Sequence, residues 1–256
     1  ISKKMESGNA VIALEDNNFA GKPALPIQLF NKALAIQAPM VESRIAKLRA
    51  NKPDGTPREI VRRLNSEFRA VTVTTGAGVG AGPQHSQAVY PIFAHIPGLK
   101  VVVPTTPYDA KGLLKTAIRS DDPVMFLEHK FLYRQGFARK PEPASDYYVE
   151  IGKANVIREG SDVTVVTYGA LVQKAIVAAR QLEQQGVSVE IIDLRSIVPL
   201  DIDTVLTSVA KTGKALVLYE DIEFCGFGSE IAAQIAEKAF HHLDAPVQRL
   251  ASHYAP

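Results

Sequence analysis

Hydrophobic and polar residues in the second half of the chain follow two alternating patterns. Short runs rich in β-branched residues predict buried strands, because a strand covered on both faces carries apolar side chains throughout. Between these runs, apolar residues recur every three or four positions, which predicts helices with one buried face. The predicted strands cover residues 162–169, 187–194, 214–220 and 246–252, and the predicted helices cover 171–185, 199–213 and 229–240. This alternation favours a parallel sheet with helices on both faces.

Start and stop signals mark the ends of these helices. Gly186 follows the first of them and Gly213 closes the second, where a left-handed residue commonly ends a helix. Lys211 lies in the last turn of the helix over 199–213, where a cation favours the helix dipole. Ser229 is the predicted N-cap of the helix over 229–240.

A second α/β unit precedes this one. Strands are predicted over 99–104 and 123–128, with a helix between them that Thr106 caps and Pro107 and Asp109 support at its start. The polar, proline-containing stretch 135–150 has no clear period and is typical of a linker. We therefore predict an α/β protein with two parallel-sheet domains: residues 1–134, a linker over 135–150, and residues 151–256.

Composition narrows the class of protein. The chain has 256 residues, 46% apolar and 22% charged, which is typical of a globular protein with real cores. Its net charge of +2 does not favour a nucleic-acid or membrane partner, and its apolar runs are of strand length. Cys225 is the single cysteine, so no intrachain disulfide can form and a reducing compartment is expected.

The stretch GAGVGAGPQHSQ at residues 76–87 is the chain's main candidate for chemistry. It matches neither the dinucleotide pattern G-x-G-x-x-G nor the phosphate-loop pattern, since Ala81 or Pro83 stands at the sixth position and no lysine follows the glycines. A mobile surface loop would need glycine alone, whereas here polar side chains surround His85. Because histidine titrates near neutrality, His85 is a candidate for proton transfer.

This stretch resembles the beta subunit of the thiamine-diphosphate-dependent decarboxylase component of 2-oxo acid dehydrogenase complexes. The similarity continues through FAHIPGLKVVVPTTPYDAKGLLKTAIRSDDPVMFLEHKFLYR, REGSDVTVVTYG, EIIDLRSIVPLDIDT, SVAKTGKALVLYE and GFGSEIAAQIAE, and it covers residues 71–256. The resemblance implies a transketolase-like pyrimidine-binding domain followed by a transketolase C-terminal domain.

The resemblance also assigns residues. His85 matches the histidine of the family's H-S-Q motif, which lies near the reactive carbon of the coenzyme, and Gln84 beside it is expected to contact the coenzyme. Phe30, in PIQLF, matches the phenylalanine that stacks on the pyrimidine ring. The family has a glutamate after an Ile-Ser pair. In one register this chain has Lys3 at that position; in a second register, NAVIALED is the family's first strand and the segment that carries the glutamate is missing.

A potassium site is implied at the end of the helix in AIRSDD. The carbonyls of Ala117 and Ile118 and an oxygen of Asp122 are its expected ligands, and such hard oxygen ligands suit the cation. Ser120 stands where many relatives carry aspartate. An ordinary helix terminus is the alternative interpretation.

The chain lacks the Gly-Asp-Gly…Asn motif that holds the diphosphate and Mg²⁺, so the resemblance implies an alpha subunit that supplies it, in a tetramer of two alpha and two beta chains. The implied activity is decarboxylation of a 2-oxo acid, most simply pyruvate, with acyl transfer to the lipoyl group of the second component. The alternatives are a branched-chain 2-oxo acid enzyme, a fragment of a transketolase or deoxyxylulose-phosphate synthase relative, and a non-catalytic structural subunit. The expected location is the bacterial cytoplasm or the mitochondrial matrix.

Overall fold

A computed structural model describes residues 70–77, 86–138, 143 and 146–254, all of which belong to one compact unit, Phe68–Pro256. Within the described residues, the chain forms two sheets and five helices. The strands are β1 (Ala70–Thr75), β2 (Lys100–Val102), β3 (Val124–His129), β4 (Asn155–Arg158), β5 (Val163–Thr167), β6 (Val189–Asp193), β7 (Ser196–Val198), β8 (Ala215–Ile222) and β9 (Gln248–Ser252). The helices are α1 (Tyr90–Ala94), α2 (Pro107–Ile118), α3 (Leu171–Glu183), α4 (Ile202–Thr212) and α5 (Phe227–Lys238), with 3₁₀ turns at Lys130–Arg134, Gly136–Ala138 and Phe240–His242.

The first sheet has the strand order β1-β3-β2-β7. Strands β1, β3 and β2 are parallel, so their carboxyl ends lie at the same edge. Strand β7 pairs antiparallel with β2, although it follows β6 of the second sheet in the chain. Helix α2 packs on this sheet through Leu113, which is fully buried with Val102 and Phe126.

The second sheet has the order β4-β6-β5-β8-β9. Strands β6, β5, β8 and β9 are parallel, and β4 pairs antiparallel with β6 at the edge. Helix α3 covers the central strands through Ala175 and Ala179, which pack against Val165 and Ile191. Two mainly parallel sheets with helices confirm the predicted α/β class; the short antiparallel strands β4 and β7 were not predicted.

The cap signals in the sequence place the start of α2 and the end of α4 correctly, whereas α4 begins at Ile202 rather than at residue 199. The hydroxyl oxygen of Thr106 accepts the backbone N–H of Asp109 at 3.1 Å, and Pro107 occupies the first helical position. Asp201 caps α4 by accepting the backbone N–H of Thr204, and Gly213 ends that helix with φ +68°. These local bonds satisfy amides that a helix start leaves unpaired.

The predicted cap of α5 is wrong. The helix begins at Phe227 after Gly226, rather than after Ser229. A Cβ at Gly228 would lie 2.1 Å from the ring of Tyr219, so glycine lets the first turn pack closely against β8. Ser229 instead accepts a hydrogen bond from Arg249 at 2.7 Å.

Part of the predicted linker packs on α2. The ring of Tyr147 stacks on Tyr108 at 4.3 Å, and Val149 is buried against the same helix. Thr116 donates its hydroxyl to the carbonyl of Val149 at 2.6 Å. The domain boundaries at 134 and 150 stay a prediction. None of the described helices is long and apolar enough to span a membrane.

A buried group of charges lies where the chain passes from β6 to β7. Asp193, at the end of β6, is fully buried and accepts the backbone N–H of Arg195 at 3.1 Å. Arg195 has φ +55° and pairs with buried Asp109 of α2 at 2.9 Å. Burial raises the pKa of Asp193 to about 7, so this carboxyl carries a proton in the folded protein over much of the acidic range.

The free energy of unfolding is expected to fall as the pH rises from 5 to 7. We predict that Asp193→Asn makes this fall smaller. An unfolded aspartate titrates near pH ~4, so over this range the folded protein holds a proton that the unfolded chain releases, and the free energy of unfolding falls as the pH rises. The fall contributed by Asp193 is at most about 1.4 kcal/mol per pH unit. Urea denaturation of both proteins at several pH values measures it; parallel profiles would contradict the prediction.

Candidate functional site

A pocket of about 280 Å³ lies at the carboxyl ends of the parallel strands of the first sheet. Ligands of open α/β sheets commonly bind at this edge, because loops and helix starts converge there. The pocket combines apolar walls with hydroxyl, amide, imidazole and carboxylate groups. Its lining residues are Pro104, Thr105, Thr106, Pro107, Ala110, Glu128, His129, Leu132, Tyr133 and Gln135.

Glu220 of the second sheet reaches the carboxyl ends of β1 and β3. One of its carboxylate oxygens accepts the backbone N–H of Ala77 at 2.5 Å, directly after β1. The other lies 2.6 Å from Nε2 of His129, the last residue of β3. Two neighbouring strands of the first sheet are therefore joined to β8 by one side chain.

Glu220 is ionised when it makes these bonds. Burial by itself would raise the pKa of its carboxyl. The hydrogen bonds from His129 and Ala77 outweigh burial and lower the pKa below its usual value. Because a carboxylate only accepts hydrogen bonds, Nε2 of His129 is the donor in this pair.

Gly76 allows the imidazole of His129 to lie directly on the backbone. It has φ +90°, and a Cβ there would stand 2.1 Å from Nε2 of His129. Any other residue would be strained in this conformation and would displace the ring. The first glycine of the glycine-rich stretch is thus required by His129.

The described residues on either side of positions 78–85 are hydrogen-bonded to each other at the carboxyl end of β1. The hydroxyl of Thr75 donates to the carbonyl of Gln87 at 2.8 Å, and the N–H of Gly76 points at the same oxygen at 3.4 Å. Just beyond, the buried ring of Tyr90 packs edge-on against Tyr168 of the second sheet at 5.1 Å. The second sheet therefore supports the chain on both sides of this segment.

Three of the residues proposed from the sequence, Phe30, Gln84 and His85, lie outside the described residues. Their roles stay predictions. The structure describes only the flanking residues: the N–H of Ala77 bonds to Glu220, and the carbonyl of Gln87 accepts from Thr75.

The residues proposed to bind potassium lie at the end of α2. The carbonyl of Ala117 accepts the N–H of Ser120 at 3.1 Å, and the side chain of Ile118 is exposed. The carboxylate of Asp122 pairs with the ammonium of Lys100 at 3.1 Å, which also donates to the Ser120 hydroxyl at 3.0 Å. A metal ion here would compete with Lys100 for the carboxylate, and the potassium site stays a prediction.

His129 and Glu220 were not singled out from the sequence. They lie 91 positions apart, and neither belongs to a recognisable spacing motif. One signal was present: both lie at or near the carboxyl ends of strands predicted to be parallel, where functional side chains collect.

Comparison with known families agrees with this architecture. Residues 59–135 match the transketolase pyrimidine-binding domain, and residues 152–256 match the transketolase C-terminal domain. Together the two matches span most of the chain, which therefore carries both of these transketolase-type domains.

Individual relatives confirm the resemblance to the beta subunits. Pyruvate dehydrogenase E1 component subunit beta of Staphylococcus epidermidis is 49% identical over 184 residues, 71% of this chain and 56% of the relative. 2-Oxoisovalerate dehydrogenase subunit beta of Bacillus subtilis is 51% identical over 176 residues, 69% of this chain and 53% of the relative. A solved structure described as a split gene transketolase, inactive beta4 tetramer, has a TM-score of 0.59 at 25% identity, covering 72% of this chain and 57% of that chain. The chain spans a little over half the length of these relatives.

We predict that Gly76→Ala destabilises the protein by roughly 2–4 kcal/mol, because backbone strain adds to the displacement of His129. The matched control is Gly98→Ala, since Gly98 has φ +85° but no atom within 4 Å of the place that a Cβ would occupy. The control should lose only the conformational part, about 1–2 kcal/mol. Urea denaturation compares the two; equal losses would show that contact with His129 is not important.

Proposed function

We propose that this chain is the beta-type subunit of a decarboxylating 2-oxo acid dehydrogenase component, acting on thiamine diphosphate together with an alpha-type partner. The observation that carries the proposal is the match to two beta subunits of such enzymes at about half identity, through both α/β domains. Pyruvate is the proposed substrate and a branched-chain 2-oxo acid the alternative, since both kinds of enzyme occur among these relatives. The proposed location is the bacterial cytoplasm or the mitochondrial matrix.

The features of the pocket favour binding of the ring of the coenzyme rather than of the whole coenzyme with its diphosphate. The volume of the pocket, about 280 Å³, is near the lower end of the roughly 300–1,000 Å³ typical of small-ligand sites. Among the described residues, the lining contains neither lysine nor arginine, the usual partners of phosphate. A ring with hydrogen-bonding groups fits these walls, and a diphosphate does not.

The start of α2, which lines the pocket, adds little for an anion. A helix start attracts anions through its free N–H groups. Here Pro107 has no N–H, and the N–H of Asp109 is already bonded to Thr106. We therefore assign the diphosphate and Mg²⁺ to the partner chain.

Thiamine diphosphate supplies the carbanion chemistry when bound. The residues of this chain orient the ring and move protons. His85, on the segment anchored through Ala77 and Gln87, is the proposed proton donor and stabiliser of charge near the reacting carbon. The lipoyl group of a second component would be the acyl acceptor, its S–S bond opening as it takes up the acyl group and two electrons.

A non-catalytic role is the second candidate. It is favoured by the likeness to a split transketolase chain whose tetramer is described as inactive, and by Lys3 in place of the family's glutamate. In this case the chain would act as a structural subunit.

Activity of the assembled enzyme tests the proposal. The chain is combined with its alpha-type partner, Mg²⁺ and thiamine diphosphate, and release of CO₂ from pyruvate and from a branched-chain 2-oxo acid is measured. We expect activity with one of them and a loss of about 10²–10⁴-fold in His85→Ala, since this is the usual contribution of a proton-transfer residue. The exposed His95 provides the matched control, and His95→Ala should retain the wild-type rate. No decarboxylation, or equal rates for wild type and His85→Ala, would contradict the proposal.

A further inference from the structure

His129 is a buried histidine. One of its ring nitrogens is hydrogen-bonded, and the other is buried without a hydrogen-bond partner among the described residues. Its side chain is 2% exposed, and Nε2 donates to the Glu220 carboxylate at 2.6 Å. Nδ1 has no hydrogen-bond partner among the described residues. Buried polar atoms are nearly always paired, and His129 lines the pocket, so a donor on a bound molecule is a candidate partner for Nδ1.

The bond to Glu220 determines what Nδ1 can do. When the ring is neutral and Nε2 carries the proton that the carboxylate accepts, Nδ1 is an acceptor. Carboxylate–histidine pairs of this kind fix the tautomer and the orientation of the ring. Gly76, packed against the ring, leaves it little room to rotate.

The surroundings of His129 restrict the charge of its ligand. Glu128 lines the same pocket, and Glu220 touches the ring from the other side. Two carboxylates near one imidazole, with no cation in the described lining, disfavour an anion. An uncharged or cationic molecule with an N–H or O–H donor is favoured.

We propose that His129, held by Glu220, is a further ligand-binding residue of the site, whose Nδ1 accepts a hydrogen bond from an uncharged or cationic small molecule. The inference rests on the proposed function, in which two participants have this chemistry: the amino-substituted ring of the coenzyme and the acyl acceptor. The 2-oxo acid, an anion, is excluded as the partner of Nδ1. His129 is separate from His85, and Glu220 is its positioning residue.

Two substitutions by amide side chains distinguish the contribution of Nδ1 from that of Nε2. In His129→Gln, the side-chain amide reaches the place of Nε2 and can still donate to Glu220, but the acceptor at Nδ1 is lost. In His129→Asn, the shorter amide keeps a polar atom near Nδ1 but loses Glu220. Each variant is thus the control for the other.

The assembled alpha–beta enzyme is used for three measurements: the Kd of thiamine diphosphate by calorimetry, the KM for free lipoamide, and the KM for the 2-oxo acid. We expect His129→Gln to weaken the coenzyme or the lipoamide by about 3- to 10-fold, the contribution of one hydrogen bond, with the KM for the 2-oxo acid unchanged. His129→Asn should bind both ligands better than His129→Gln while melting at a lower temperature.

The outcomes identify the ligand or overturn the proposal. A changed Kd identifies the coenzyme ring, and a changed KM for lipoamide identifies the acceptor. The role of Nδ1 would be overturned by any of three results. The first is that neither the Kd of thiamine diphosphate nor the KM for lipoamide changes, and the second is that only the KM for the 2-oxo acid changes. The third is weaker ligand binding in His129→Asn than in His129→Gln. Failure of the wild-type complex to bind thiamine diphosphate would overturn the proposed function itself.

Discussion

The carboxylate of Glu220 is the contact on which the described site depends. It lies on β8 of the second sheet, yet both of its oxygens are used at the edge of the first sheet, by Ala77 and His129. Removing a carboxylate from water, even in part, is unfavourable unless its oxygens are hydrogen-bonded, so the arrangement of the two sheets that supplies both donors is favoured. Gly76 makes this arrangement possible, because a side chain there would occupy the place of the imidazole.

Other contacts between the two sheets serve the same edge. After β6 the chain leaves the second sheet, and β7 pairs with β2 of the first sheet. The Arg195–Asp109 ion pair connects the turn before β7 to the start of α2. Tyr90 and Tyr168 pack together just beyond the glycine-rich stretch. The pocket is therefore built on the first sheet and held in shape by the second. Support of this kind suits the proton transfer proposed for this chain, because small displacements of reacting groups lower the rate of a reaction.

The sequence predicts the parts of this fold that depend on local physics. Buried strands are evident from their β-branched runs, α2 starts where Thr106 places it, and α4 ends where Gly213 places it. Strands β4 and β7 were missed because each is very short and is defined by its partner rather than by its own pattern. The start of α5 was missed because Gly228 is chosen for its contact with the Tyr219 ring, which no local pattern reveals. The same holds for the His129–Glu220 pair, which only the folded chain brings together, whereas His85 was proposed from its motif.

The central claim is that this chain provides the ring-binding part of a coenzyme site and that a second chain provides the part that holds the diphosphate. Titration calorimetry of thiamine diphosphate with Mg²⁺ into the isolated chain, the isolated alpha-type partner and their mixture tests this directly. The account predicts tight binding in the mixture and none to the isolated chain. Tight binding to the isolated chain, with no gain on adding the partner, would contradict it.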